Sequence, residues 1–196
     1  MPKGPAQMSE GVRTLLLQGS GLYTKTIAAM RHFNAAAYEI CERVLNQHAK
    51  DLGDSIGVSD LGAKKVRLHL YPTVDTATEW DETEVYIGAK IQLAPYTLLI
   101  LYYYLGVRDD QLNWATGISL GFSTQRKRDA VMKQLLEKKD STAASSYSYG
   151  TDCWLLDFSQ GYHPLAEVDT FPTTLDEVVS CWLENCRAVG GINMAI

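Results

Sequence analysis

Residues 114–122 read Trp-Ala-Thr-Gly-Ile-Ser-Leu-Gly-Phe, and the reading of Ser119 inside them decides the fold. Gly117-Ile-Ser119-Leu-Gly121 matches G-x-S-x-G, the sequence of a nucleophile elbow. An elbow requires a strand to end and a helix to begin at the serine. Here the two-residue period runs through it: Trp114, Thr116, Ile118, Leu120 and Phe122 share one face, and Ala115, Gly117, Ser119 and Gly121 the other. The first helix signal comes later, at Ser123 or Thr124. In the order serine, acid, histidine the only imidazole available is that of His163, closely preceded by Asp152 and Asp157. Ser119 is therefore read as a strand residue, and no residue is assigned a catalytic role. Glycines inside a strand mark a close approach, either of a packed element or of a ligand in a groove.

The strand reading extends upstream. In residues 64–71, KKVRLHLY, Val66, Leu68 and Leu70 alternate with Lys65, Arg67, His69 and Tyr71. In residues 83–93, TEVYIGAKIQL, Val85, Ile87, Ala89, Ile91 and Leu93 alternate with Glu84, Tyr86, Lys90 and Gln92. Such alternation marks half-buried strands. Residues 96–105, YTLLILYYYL, are apolar on both sides and read as a central strand, joined to 114–122 through the turn GVRDDQ. A last strand is expected at Cys153–Phe158, with DSTAASSY (140–147) and SQGYHPLAEVDTFP (159–172) as loops.

Helices are expected around these strands. Ser9 caps a short one ending at Gly19. A longer one runs from Thr24 to Gly53 with Ile27, Met30, Phe33, Ala37, Ile40, Cys41, Val44, Leu45, His48 and Leu52 in one sector, as an amphipathic helix requires. A third runs from Ser123 or Thr124 to about Lys139, burying Val131, Met132, Leu135 and Leu136. The last opens on the capping box Thr174-x-x-Glu177 and stops at Gly190-Gly191. With no repeated βαβ unit, the class is α+β: a mainly antiparallel sheet of about five strands flanked by a long N-terminal, a middle and a C-terminal helix. Residues 1–8 read as a flexible lead and 9–196 as a single domain.

Composition narrows function. The chain has 196 residues, 46% hydrophobic and 21% charged, with a formal net charge of −5. That charge opposes bulk attraction to nucleic acid or anionic membrane. The longest apolar run, Leu93–Leu105, falls short of the roughly 20 residues that span a bilayer. Cys41, Cys153, Cys181 and Cys186 form no C-x-x-C pair, so free thiols and a cytoplasmic location are expected.

Within this acidic chain, Arg67, His69, Tyr86 and Lys90 lie on the polar sides of neighbouring strands, with Lys65, Tyr71 and Gln92. Arg126, Lys127 and Arg128 fall in the first turns of the middle helix, where cations oppose the helix dipole and could meet an anion. Lys133, seven residues after Arg126, shares its side. The expected binding residues are Arg67, His69, Tyr86, Lys90, Arg126 and Lys133. Asp75, Glu79, Asp81, Glu82 and Glu84 make an acidic connection without EF-hand spacing. No zinc, P-loop or dinucleotide motif occurs, so neither metal nor cofactor is expected. The reading is a non-enzymatic binding protein, such as an adaptor, chaperone, inhibitor or immunity-type protein. Its expected partner is another protein, a second copy of itself included, with no membrane attachment. The alternative is a protein that binds nucleic acid or a phosphate ligand, including a divergent nuclease.

Overall fold

The computed structural model describes residues 10–71, 84–95, 97–108, 111–136, 143–149, 153–192 and 194. The acidic connection lies outside these residues except for Glu84, as do residues 1–8. The chain divides into two compact units, Met1–Ala36 and Ala37–Ile196. The class is α+β, with an antiparallel sheet and N-terminal, middle and C-terminal helices.

The strands are β1 (Val66–Tyr71), β2 (Glu84–Ala94), β3 (Thr97–Arg108), β4 (Gln111–Phe122), β5 (Ala143–Tyr149), β6 (Cys153–Ser159) and the two-residue β7 (His163–Pro164). Their order across the sheet is β1-β2-β3-β4-β6-β5, with β7 on β4, and every pair is antiparallel. The tyrosine-rich segment is strand β3, as the sequence suggests. Two expectations fail here. The serine-rich stretch read as a loop forms β5, which its weak apolar alternation concealed. The stretch 159–172 holds β7 and a 3₁₀ turn, Leu165–Thr170.

The helices are α1 (Glu10–Gln47), α2 (Ala49–Ile56), α3 (Gln125–Leu136) and α4 (Phe171–Ala188). No break separates a first short helix from the long one. Gly19 and Gly21 sit inside α1, because a helical glycine costs only about 1 kcal/mol relative to alanine and no proline intervenes. Gly53 is likewise internal to α2; the left-handed stop is Gly57, with φ of 73°. A side chain at Gly53 would run into the Val58 carbonyl and the Leu61 side chain. Thr124 caps α3, its hydroxyl accepting from the Lys127 N–H at 3.3 Å. Thr174 is no cap. It is buried three residues into α4, whose start is set by Pro172, a residue suited to a first turn. Gly190 and Gly191 end α4 as expected, with φ of 80° and 86° and a bond from the Gly191 N–H to the Cys186 carbonyl.

Register assigns the two faces of the sheet. Ile87, Ala89 and Ile91, Leu99, Leu101 and Tyr103, Trp114, Ile118 and Leu120, and Leu156 and Phe158 face one way and are buried. α4 packs there: Phe171 meets the rings of Tyr103 and Trp114, and Trp182 meets Phe158. The indole N–H of Trp182 reaches the Ser55 hydroxyl on α2 at 3.4 Å, and the Ser55 and Ile56 carbonyls accept from the N–H groups of Ile192 and Met194. His48 binds Asp176 of α4 at 2.7 Å. α4, α2, Ile192 and Met194 are thus joined over one sheet face.

The small side of β4 lies on the other face, and it is filled. A side chain at Gly117 would run into the Phe158 carbonyl of β6, and Tyr102 lies across the same position, its phenol oxygen 2.7 Å and its Cζ 2.9 Å from an added Cβ. Gly117→Val is expected to lower stability by about 1–3 kcal/mol through overpacking. Gly62→Ala is the control: the nearest atom to the added methyl is the Ala49 Cβ at 3.6 Å, and stability should hold or rise. Thermal or denaturant unfolding measures both; equal stability of Gly117→Val and the parent protein would contradict this packing.

Candidate polar site on the sheet face

Alternation places one residue of every second position on this face, and antiparallel register lines them up. His69 lies opposite Gly88 and Arg67 opposite Lys90 on β1 and β2. Tyr102 lies opposite Gly88 and Gly117, and Ser119 opposite Asp157 of β6. Gly117 leaves room for the Tyr102 ring to lie across it. Tyr86 stacks on Tyr102 at a centroid distance of 4.4 Å, and the His69 ring meets Tyr86 edge-on at 5.5 Å. Leu98, Ile100 and Leu155 complete the apolar bed beneath them.

Three hydroxyls converge under these rings. The Ser119 hydroxyl donates to Asp157 Oδ1 at 2.5 Å, and the Tyr102 hydroxyl to Asp157 Oδ2 at 2.7 Å. Tyr86 Oη lies 2.9 Å from Ser119 Oγ. A hydroxyl has one proton, and Ser119 spends its proton on the carboxylate, so Tyr86 donates to Ser119 when Asp157 is ionised. The chain Tyr86→Ser119→Asp157←Tyr102 therefore links β2, β3, β4 and β6. Ser119 is completely buried and Tyr102 nearly so. Burial pushes the Asp157 carboxyl above its ordinary range, and the bonds from Ser119 and Tyr102 pull it partly back.

The strand reading of Ser119 holds, while its place in a buried polar network is new. It is bonded to a tyrosine and a carboxylate rather than to an imidazole. The Asp157 carboxylate could take its proton, but an Oγ with no solvent access cannot meet a substrate carbon. Within the G-x-S-x-G stretch it is Gly117 that lets a tyrosine, Tyr102, lie close.

Four of the six expected binding residues, Arg67, His69, Tyr86 and Lys90, come together on β1 and β2. Arg67 is exposed and Lys90 partly so, directly across from each other. Arg126 and Lys133 are exposed on α3, which packs on β4, β5 and β6, the other half of the strand order. Arg128 leaves the basic cluster: it is buried and held by Asp129 through Nε at 2.9 Å and Nη2 at 2.8 Å. Tyr102, Ser119 and Asp157 were missed as site residues. The signal for Asp157 was present, since it alternates with Leu156 and Phe158, but its pairing with Ser119 spans a helix and another strand. Among the described residues no group of three or more His, Cys, Asp or Glu gathers as a metal-ligand set. No helix among them is long and apolar enough to cross a membrane. No family model, curated protein or solved structure matches the chain.

His69 carries the electrostatic signature of this patch. Burial, then the charge of Lys90, push its imidazole down from 6.5 to about 4. A depressed folded-state value means that the fold favours neutral His69, a contribution present above about 6.5 and lost as pH falls toward about 4. An NMR titration should place the His69 midpoint near the lower value. Lys90→Gln should raise it only partway, because burial is the larger cause. A midpoint at the free-histidine value would contradict this environment.

Proposed function

We propose that the chain is a non-enzymatic binding protein whose β1–β2 surface docks an acidic segment of another protein. The observation that carries this reading is the Arg67–Lys90 pair. Like charges directly opposite on adjacent strands destabilise a sheet, and neither side chain forms a hydrogen bond or ion pair with another of the described residues. A partner carboxylate would relieve that repulsion, and the two cations would steer its approach. The rings of Tyr86 and His69 beside them supply area at low entropic cost. Tyrosine is enriched at such interfaces because one end is apolar and the other polar.

A reducing, cytoplasmic setting goes with this reading. Cys41, Cys181 and Cys186 are free, and burial pushes the thiols of Cys41 and Cys186 up to about 12, which keeps them protonated and inert. The partner can be a second copy of the chain, whose own acidic connection at 75–84 has the required charge.

The test compares capture by the parent protein with capture by Arg67→Glu/Lys90→Glu and by Arg126→Glu/Lys133→Glu. Bound host proteins are identified by mass spectrometry, and self-association is followed by sedimentation. The expected result is a partner lost only from the first variant. Oligonucleotide binding is measured in parallel at about 150 mM salt, where the screening length is about 8 Å. Micromolar or tighter oligonucleotide binding that Arg126→Glu/Lys133→Glu abolishes would replace this reading with nucleic-acid recognition.

A further inference from the structure

The buried hydrogen-bond chain has two self-consistent directions, and the charge of one carboxyl selects between them. With Asp157 ionised, both of its oxygens only accept. Ser119 must donate to Oδ1, and Tyr86 must donate to Ser119. With Asp157 protonated on Oδ1, that oxygen becomes a donor to Ser119 Oγ. The serine proton then turns to Tyr86 Oη, and the tyrosine proton points away from Ser119. One proton is taken from water, and no covalent bond other than O–H changes. Tyr102 keeps donating to Oδ2 in this state; a proton on Oδ2 instead would turn Tyr102 and leave Tyr86 as it was, which would overturn the proposal below.

We propose that Tyr86, Ser119 and Asp157 form a proton-operated polarity switch, in which protonation of Asp157 reverses the hydrogen bonds out to Tyr86. The geometry suits it: each oxygen lies within 2.9 Å of the next, and every member has the donor and acceptor capacity that both states need. A water-exposed hydroxyl would rotate independently, but Ser119 is completely buried between its two partners and must answer to both. The consequence falls on the candidate docking surface, because Tyr86 shares its face with His69 and Lys90. In the ionised state the Tyr86 proton is committed inward. In the protonated state the hydroxyl can donate outward, which suits an acceptor such as a carboxylate. The switch itself rests on the network alone and stands whether or not that surface binds an acidic segment.

Asp157 is the titratable carboxyl inside the hydrogen-bond chain, and His69, whose ring meets Tyr86, is the titratable group at its outer end. β3 offers Tyr102, β4 offers Ser119, and β5 places Ser145 opposite Asp157. Beyond Tyr86 on β2 lies Lys90, with Arg67 and His69 on β1. α3, packed on β4, β5 and β6, carries Arg126, Lys127, Arg128, Asp129 and Lys133. α4, on the opposite face, carries Asp176, Glu177, Glu184 and Arg187.

The test follows two signals through an acid titration of the full chain. One is the infrared carbonyl band of a protonated carboxyl, assigned by its loss in Asp157→Asn. The other is the ring resonance of Tyr86, assigned by Tyr86→Phe and followed in a His69→Gln background, because the His69 ring against Tyr86 also titrates in acid. The expected result is that both move with one midpoint. Asp157→Asn, whose amide can donate to Ser119 as the protonated carboxyl does, should hold the Tyr86 resonance at its acid position at neutral pH. If Asp157→Asn does not fold, Ser119→Ala serves instead. It cuts the chain and should uncouple Tyr86 while shifting the Asp157 midpoint upward. The proposal is overturned if Asp157 stays ionised down to acid unfolding. It is equally overturned if the Tyr86 resonance ignores the carboxyl titration, or if Ser119→Ala leaves the coupling intact.

Discussion

The contact on which this architecture turns is the ring of Tyr102 lying over Gly117. β4 runs through the middle of the sheet with side chains of very unlike size on its two faces. Its large side, Trp114, Ile118, Leu120 and Phe122, meets the helical layer. Its small side would leave a trough. Because Gly117 has no Cβ, Tyr102 can cross that trough and place its hydroxyl 2.7 Å from Asp157, two strands away. Tyr86 can then stack on Tyr102 and reach Ser119. One missing methyl group thereby decides whether the face is a groove or a filled polar layer.

Filling the trough with tyrosines rather than leucines has an electrostatic price. Aliphatic side chains would bury comparable area without polar atoms. The tyrosines bring hydroxyls that must be bonded, and Asp157 accepts two of them directly or through Ser119. A carboxyl placed there is held above its normal range by burial, as the imidazole of His69 is held below its own. Both shifts favour neutral groups within the layer, while Arg67 and Lys90 keep their charges at its rim. Cations with no ion-pair partner among the described residues, beside rigid aromatic rings, are the feature from which a docking role is inferred.

Much of this was legible in the chain itself. The two-residue period located β1, β2 and β4, the doubly apolar run 96–105 gave β3, a strand was also expected at β6, and the alternation put Arg67, His69, Tyr86 and Lys90 on the polar sides of their strands before any pairing was known. What alternation cannot supply is which strands become neighbours. Ser119 and Asp157 are 38 residues apart, and α3 and β5 lie between them. Their meeting depends on β6 inserting between β4 and β5, a tertiary choice without a local signature. The polar β5 was missed for a related reason, since a strand with few apolar residues resembles a loop. Helix ends were misplaced where local signals were weak beside their context: Gly19 and Gly21 did not break α1, and Pro172 set the start of α4 ahead of the Thr174 capping pattern.

The central claim is that Tyr102, Ser119 and Asp157 act as one coupled unit. A double-mutant cycle on unfolding free energy tests it most directly, with Tyr102→Phe, Ser119→Ala and the pair measured at neutral pH. Both hydroxyls serve the same carboxylate, so removing the second should cost a different amount from removing the first, with a coupling of about 0.5–3 kcal/mol. Additivity within about 0.3–0.5 kcal/mol would contradict the account, for the two bonds would then be independent contacts that merely share a face.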